Sequence, residues 1–243
     1  MNFLSEAMFP RSFTCDICGI ETFGGNICPD CLKTVTFNDK VTCPVCGRKT
    51  YRPETCIECK ADLPLYKKAY SPLVYENGAA ALIAKFKNGS GYLKEYFSDI
   101  MAEYLATLSD FDCIVYVPMT EKAVRKRGYN QAQLLANGLS KRLQKPIIND
   151  ALIKEKDTAE QKTLSRKERA ENLANCIKVV KRSEVKDKKL LLVDDILTTG
   201  ATAKAVCKKL LSAGAKRIYL VTAASVEYKQ PDDKNKISNN KNN

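Results

Sequence analysis

Two adjacent carboxylates, Asp194 and Asp195, stand between an apolar run and a segment rich in threonine. The apolar run at 190–192 predicts a short buried strand, and apolar side chains recur at helical spacing after Gly200. Paired acids can accept hydrogen bonds from two vicinal hydroxyl groups. The unpaired N–H groups at a helix start, together with the helix dipole, attract anions. This order of residue types predicts a site for a sugar phosphate.

The segment after the acids would hold the phosphate, because Gly200 lets the backbone approach it closely and the threonines add hydroxyl donors. A Walker A loop is excluded since the Gly-Lys-Ser/Thr ending is missing, and no G-x-G-x-x-G dinucleotide fingerprint is present. The alternative interpretation is an exposed strand-to-helix turn with an ordinary threonine cap. The candidate binding residues are Asp194, Asp195, Ile196, Leu197, Thr198, Thr199, Gly200, Ala201 and Thr202.

Eight of the eleven cysteines precede residue 60 and form four C-x-x-C pairs, the last two repeating the spacing of the first two. Two sulfur atoms on one tight turn supply half of a tetrahedral zinc site, so one or two closed, structural zinc sites are predicted. Sequential grouping (15/18/28/31 and 43/46/56/59) is the simplest arrangement, and a cross-braced grouping (15/18/43/46 and 28/31/56/59) stays open. The candidate metal ligands are Cys15, Cys18, Cys28, Cys31, Cys43, Cys46, Cys56 and Cys59.

Composition limits the class of protein. The 243 residues, 44% of them hydrophobic, are enough for one ordinary domain and a small one. The net charge of +12 favours anionic partners, either phosphorylated metabolites or nucleic acid. Histidine is absent, so metal sites must use cysteine or carboxylate ligands. No long apolar stretch or signal-peptide pattern is found, so we expect no membrane insertion and a reducing, cytoplasmic location.

The remaining chain alternates strand and helix patterns. Helical spacing covers 79–108 with a break at 88–91, and also 132–143 and the segment after Gly200; strands are predicted at 111–117, 147–148, 177–180, 190–192 and 218–223. This alternation predicts an α/β fold with a parallel sheet whose sites lie at the carboxyl ends of its strands. The predicted divisions are a cysteine module at 1–63, the α/β domain at 64–228 after a linker-like stretch at 64–72, and a disordered polar tail at 229–243.

Two further stretches bear on the sugar phosphate site. Residues 117–131 begin at a strand end and carry Lys126 and Arg127, whose charges suit a pyrophosphate. The alternative is a basic, solvated turn before a helix that is capped by Asn130. Residues 156–173 are polar and poorly patterned, which favours a mobile loop, or an exposed helix with ion pairs; Arg169 is the candidate ligand there.

The acids and the threonine segment resemble the phosphoribosyl-pyrophosphate (PRPP) loop of type I phosphoribosyltransferases. With the cysteine pairs and the blocks at 117–131 and 158–173, in this order, the chain from Cys15 to about Ala224 is similar to the ComF family of competence proteins. Met119-Thr120 and Ile177 depart from the usual family pattern. The resemblance implies a zinc-finger part, a phosphoribosyltransferase-like domain and a link to DNA uptake in natural transformation.

The resemblance also implies roles for single residues. Asp194 and Asp195 would hold the ribose hydroxyls, residues 198–202 the 5′-phosphate, and Lys126, Arg127 and Arg169 the pyrophosphate, which arrives with Mg²⁺. Asp194, Asp195 and Arg127 are the candidate catalytic residues, although no residue identifies an acceptor substrate. A non-enzymatic factor that binds single-stranded DNA through the basic and tyrosine-containing segments 66–70 and 125–129 is the alternative. An adaptor that docks competence-machinery proteins on the cysteine module is a third possibility.

Overall fold

The computed structural model describes residues 14–22, 27–38, 41–156, 172 and 175–228. Its strands are β1 (Ala69–Tyr70), β2 (Leu73–Val74), β3 (Cys113–Tyr116), β4 (Leu152–Lys154), β5 (Ile177–Val179), β6 (Lys189–Leu197) and β7 (Arg217–Ser225). Its helices are α1 (Pro29–Leu32), α2 (Ile57–Ala61), α3 (Asn77–Lys87), α4 (Lys94–Tyr104), α5 (Glu121–Arg127), α6 (Gln131–Leu143), α7 (Arg182–Val185) and α8 (Ala201–Ser212), with a 3₁₀ turn at Gly91–Leu93.

The core is a parallel sheet in the order β1-β7-β6-β3, with β2 also paired to β7. Of the two central strands, β7 is buried after its first residue and β6 is buried along 190–193, which explains their continuous apolar runs. They pair in register from Lys189 opposite Arg217 to Leu197 opposite Ser225. The predicted α/β fold with a parallel sheet is therefore confirmed.

Two predicted strands lie outside this sheet or at its margin. The one at 177–180 is present as β5, but it pairs antiparallel with β4, with Leu152 opposite Val179. The one at 147–148 is reduced to a single parallel bridge between Ile147 and Ile114. These short runs fit strand propensity, and only their long-range partners decide which sheet they join.

The linker-like stretch predicted at 64–72 is wrong, because it contains strand β1. Ala69 and Tyr70 pair with Leu220 and Val221 of β7. Tyr66 is only 5% exposed. A two-residue strand has no periodicity to detect, and its partner lies far along the chain, so local sequence could not reveal it.

The helices follow the predicted pattern closely. The break in the segment 79–108 separates α3 from the 3₁₀ turn and α4. The basic stretch before Asn130 is the short helix α5, which ends at Gly128 with a φ of 88°. Asn130 caps α6, as predicted, because its side-chain oxygen accepts a hydrogen bond from Ala132 N at 3.0 Å. Among the described residues, no helix is long and apolar enough to cross a membrane.

The cysteine-rich segment packs directly on the sheet and on α3. Val45 O accepts a hydrogen bond from Ala69 N at 2.8 Å, and Thr36 O accepts one from Val74 N at 2.9 Å. The side-chain amide of Asn38, itself 2% exposed, donates to Ser71 O at 2.7 Å. These bonds join the segment 14–62 to the edge formed by β1 and β2. The division at 63/64 stays a prediction, and the polar tail lies outside the described residues.

Candidate functional site at the carboxyl end of the sheet

Strand β6 carries both candidate acids. Asp194 and Asp195 lie within the strand, which continues to Leu197, so the strand is longer than the apolar run alone predicts. Asp194 is opposite Thr222 of β7, and Asp195 N donates to its Oδ1 at 2.8 Å. The strand can extend through the acids because both side chains are half-buried at its carboxyl end, where water still reaches them.

The threonine and glycine segment connects β6 to α8. Gly200 adopts a left-handed φ of 76° and immediately precedes the helix, which runs for 12 residues. A side chain at this position would be strained, and without one the first turn of α8 is open to an incoming anion. Thr198 and Thr199 are exposed, and Thr202 lies in the first turn of the helix. The segment 198–202 thus has the geometry expected of a phosphate-binding loop.

The negative charge of Asp194 is unfavourable because the group is buried beside a second carboxylate. Burial raises the pKa of Asp194 well above its ordinary value of 3.8, and the adjacent charge of Asp195 raises it further. The backbone N–H of Asp195 and the charge of Lys87 act in the opposite direction. The single backbone donor does not offset the burial and the neighbouring charge, and two hydroxyl groups of a ligand would add donors.

Lys87, at the end of α3, is a site residue that sequence reasoning missed. Its Nζ lies 3.0 Å from Asp195 Oδ2. The pattern over 79–108 predicts helices from its apolar residues alone, so it gives no role to the lysine. A basic residue at the end of a helix, directly before the Asn88-Gly89 break, is the signal that could have identified it.

The basic stretch 117–131 starts next to the acids. Val117 N donates to Val193 O at 3.0 Å, so β3 ends beside Asp194 on the neighbouring strand. Arg127 donates to the side-chain oxygen of Gln131 at 3.4 Å, and among the described residues it forms no ion pair with either acid. Lys126 is exposed, and Arg169 lies outside the described residues. The structure therefore brings the stretch to the site, and the assignment of its cations to a pyrophosphate stays a prediction.

A cleft of about 950 Å³ lies between the end of β3, α5 and β4. Tyr116 stands at its inner side, where its hydroxyl donates to Asp150 Oδ1 at 2.8 Å and accepts from Gln133 Nε2 at 3.1 Å. Burial raises the pKa of Tyr116 to about 12, so it stays a neutral donor. The sequence patterns did not identify Tyr116 or Asp150. The cleft has room for a further part of a ligand, such as an acceptor group.

The eight N-terminal cysteines form two groups, each with its sulfur atoms within 4.8 Å of one another. The groups are the sequential ones, Cys15/Cys18/Cys28/Cys31 and Cys43/Cys46/Cys56/Cys59. The two groups repeat one geometry, since Cys28 N donates to Cys15 Sγ and Cys56 N donates to Cys43 Sγ, both at 3.4 Å. These N–H donors favour thiolates, as zinc ligation requires.

The donor chemistry of these groups fits zinc. A hydrogen bond from the Cys46 thiol lowers the pKa of Cys43 to about 4, although burial opposes the shift. Burial raises the pKa of Cys59 to about 12. Cys43 is therefore easily a thiolate, whereas Cys59 becomes one only beside a cation, which a divalent ion supplies. Four sulfur ligands leave no open position, so the zinc role is structural.

The tyrosines of segment 66–70 are engaged within the protein. Tyr66 is buried, and the Lys68 ammonium lies 4.8 Å from the centre of the Tyr70 ring. The Lys67 ammonium lies 5.8 Å from the centre of the Tyr219 ring. Tyr129, in the second basic segment, donates its hydroxyl hydrogen to Phe86 O. A buried ring cannot stack on a base, so these contacts weaken the idea of a single-strand track along both segments.

Known proteins match the same two parts of the chain. Residues 4–60 match the double zinc ribbon domain, and residues 123–243 match the phosphoribosyl transferase domain. The fold and the acid and threonine loop thus define a phosphoribosyltransferase-like protein with an N-terminal zinc ribbon.

Named relatives carry the comparison further. Competence protein F of Haemophilus influenzae is 37% identical over 108 residues, covering 44% of this chain and 47% of that protein. The DNA utilization protein YhgH of Escherichia coli K12 is 35% identical over 104 residues, 43% of this chain and 45% of that one. Competence protein ComFC of Streptococcus pneumoniae is 30% identical over 146 residues, 59% and 62%. The chain spans about half the length of the first two, and these matches bear out its resemblance to the ComF family.

Proposed function

We propose that this chain binds PRPP at the carboxyl end of β6 and serves the handling of incoming DNA. The observation that carries the proposal is the half-buried acid pair directly before a glycine-started helix N-terminus. The match of residues 123–243 to a phosphoribosyl transferase domain supports the ligand class. The printed names of the relatives, which concern competence and DNA utilization, support the biological setting.

Each part of the proposed site has a separate task. Asp194 and Asp195 accept hydrogen bonds from the two ribose hydroxyls, which adds donors to the buried, charge-repelled Asp194. The segment 198–202 binds the 5′-phosphate through backbone N–H groups and threonine hydroxyls. The pyrophosphate extends toward the basic stretch 117–131, and Mg²⁺ arrives on it as part of the ligand. The cleft beside Tyr116 receives the acceptor if phosphoribosyl transfer follows.

Titration calorimetry with PRPP and Mg²⁺ tests the ligand. We expect wild-type protein to bind it and the Asp194→Asn/Asp195→Asn double variant to bind it at least 100-fold more weakly, because two hydrogen bonds to charged groups, each worth about 1.5–3 kcal/mol, are lost. The asparagines keep the shape of the site, and folding is checked by zinc content and thermal unfolding. Omitting Mg²⁺ should also weaken binding.

A charge-matched control isolates the site. Asp99→Asn/Glu103→Gln removes the same two negative charges from α4, where both residues are exposed, and should bind PRPP like wild type. Failure of folded, zinc-loaded wild type to bind PRPP would exclude the proposal. Binding of single-stranded DNA that falls steeply with salt and ignores both acids would instead favour the non-enzymatic DNA-binding alternative.

A further inference from the structure

Asp195, the second acid of the site, forms an ion pair with a lysine of the same chain. The Lys87 ammonium lies 3.0 Å from Asp195 Oδ2, and the two side chains are only 29% and 16% exposed. A ribose hydroxyl that approaches Asp195 must compete with this ammonium group. Because a partly desolvated ammonium is unfavourable without a partner, it will need a second anion when Asp195 is taken.

The end of α3 is held beside the segment where the proposed pyrophosphate would lie. Tyr129 donates its hydroxyl hydrogen to Phe86 O, one residue before Lys87, and the Phe86 and Tyr129 rings are 6.0 Å apart. The end of α3, which carries Lys87, therefore lies next to the junction of α5 and α6 within the basic stretch 117–131.

That junction also contains an unused donor. Gln131, the first residue of α6, is 2% exposed, and its Nε2 has no hydrogen-bond partner among the described residues. A buried amide group without a partner costs free energy, so an acceptor on a ligand would be favourable there. Gln131 therefore adds an amide donor to the junction that Tyr129 joins to the end of α3.

We propose that Lys87 is a ligand-binding residue that exchanges Asp195 for the pyrophosphate when PRPP binds. This inference rests on the proposed function. The flexible stem of lysine allows the ammonium to turn from the carboxylate to the phosphate oxygens while its helix stays anchored. The exchange leaves Asp195 free for a ribose hydroxyl and gives the ammonium a new anion. Lys87 therefore offsets the charge of Asp195 and favours ligands that carry a pyrophosphate.

Two ligands that differ only in the pyrophosphate separate this role from a structural one. If Lys87 binds the pyrophosphate, Lys87→Met weakens the binding of PRPP but leaves that of ribose 5-phosphate unchanged or tighter, since its competitor for Asp195 is gone. If Lys87 only supports the fold of the site, both ligands lose affinity together.

The experiment measures both ligands by calorimetry, with ribose 5-phosphate at millimolar concentration in competition with PRPP. We expect Lys87→Met to weaken PRPP binding at least tenfold, Lys87→Arg to restore part of it, and ribose 5-phosphate affinity to stay within twofold or to rise. Lys85→Met, two residues earlier on the same helix and exposed, should match wild type for both. Zinc content and thermal midpoint establish that each variant is folded.

Three results would overturn the inference. Unchanged PRPP affinity in Lys87→Met would show that the lysine does not bind the ligand. An equal loss for both ligands would show a structural role. In both cases wild type still binds PRPP, so the proposed function survives. If wild type binds no PRPP, the proposed function and this inference fail together.

Discussion

The acid pair at the end of β6 lowers the stability of the folded protein while it is suited to bind a ligand. Asp194 is half-buried next to a second carboxylate, and its pKa is raised well above 3.8. A group with a raised pKa in the folded state binds more protons there than in the unfolded chain, so stability falls as pH rises from about 4 through that raised pKa. At neutral pH the unfavourable contribution is present, and ligand hydroxyls relieve it.

Replacing Asp194 with asparagine should therefore stabilise the ligand-free protein. The variant keeps the acceptor for Asp195 N and removes the buried charge. We expect a gain of about 1 kcal/mol at pH 8, or about 2–4 °C in the midpoint of thermal unfolding, and a smaller gain at pH 5. Calorimetric melts of both proteins across pH 5–8 measure it. A difference that grows as pH falls would contradict the assigned cause, and Asp112→Asn, outside the site, should give no such gain.

Helices and strands could be predicted from the sequence where their own residues carry a local hydrophobic pattern. β6 and β7 were predictable from their continuous apolar runs, and α3, α4 and α6 from apolar residues at helical spacing. β1 and β2 were not, since two residues paired to β7 leave no local signal. The basic residues of α5 leave it without an apolar stripe, so its sequence also fits the alternative of a solvated turn.

The site residues also divide into those that the sequence predicts and those that only the fold brings together. The loop 194–202 could be predicted because its chemistry is contiguous in sequence. Lys87 could not, because it joins the site only through the fold of α3, about 100 residues before the acids it contacts. Tyr116 and Asp150 likewise meet only when β3 and the segment before β4 come together.

The crossing of α4 and α6 depends on a glycine for space. A Cβ at Gly138 would lie 2.7 Å from Ser98 Cβ and against Ser98 Oγ, which is buried and has no hydrogen-bond partner in the part of the chain that the structure describes. Gly138→Ala should therefore destabilise the protein by about 1–3 kcal/mol through overpacking. Ser98→Ala alone should be neutral or slightly stabilising, and it should relieve part of the damage in the double variant.

Urea unfolding of the four proteins in this cycle measures the coupling between the two sites. Strictly additive effects of Gly138→Ala and Ser98→Ala would show that the clash is not where the cost arises. Ala106→Gly on the exposed segment after α4 serves as a control for changes in backbone freedom away from the crossing.

Over the whole molecule, the two zinc units contact different elements of the ligand site. The first unit contacts α3 and its neighbourhood, with Thr34 O accepting from Gly78 N at 3.2 Å and Tyr92 bonded to Asp16. The second unit ends at Asp62, which forms an exposed ion pair at 2.6 Å with Lys204 in the first half of α8. The first unit therefore lies against the helix that carries Lys87, and the second unit reaches the helix that follows the phosphate loop.

The two zinc ions should leave at different rates. Cys18 of the first group is exposed, whereas all four cysteines of the second group are buried. A chelator should therefore release the first equivalent about tenfold faster or more, because reaching the second requires opening of the packed core. A metallochromic dye records the two phases, and Cys18→Ser should remove the fast one and leave the slow one.

Loss of the first zinc should weaken PRPP binding before the protein unfolds, because α3 then loses its support while the sheet keeps its core. Loss of the second should unfold the chain, since structural zinc contributes about 10–16 kcal/mol in small zinc-binding peptides and this group lies within the core. PRPP calorimetry and circular dichroism after the fast phase distinguish the two steps. Release of both equivalents in one phase, or full PRPP affinity in folded protein that has lost the first zinc, would show that the zinc units do not support the site separately.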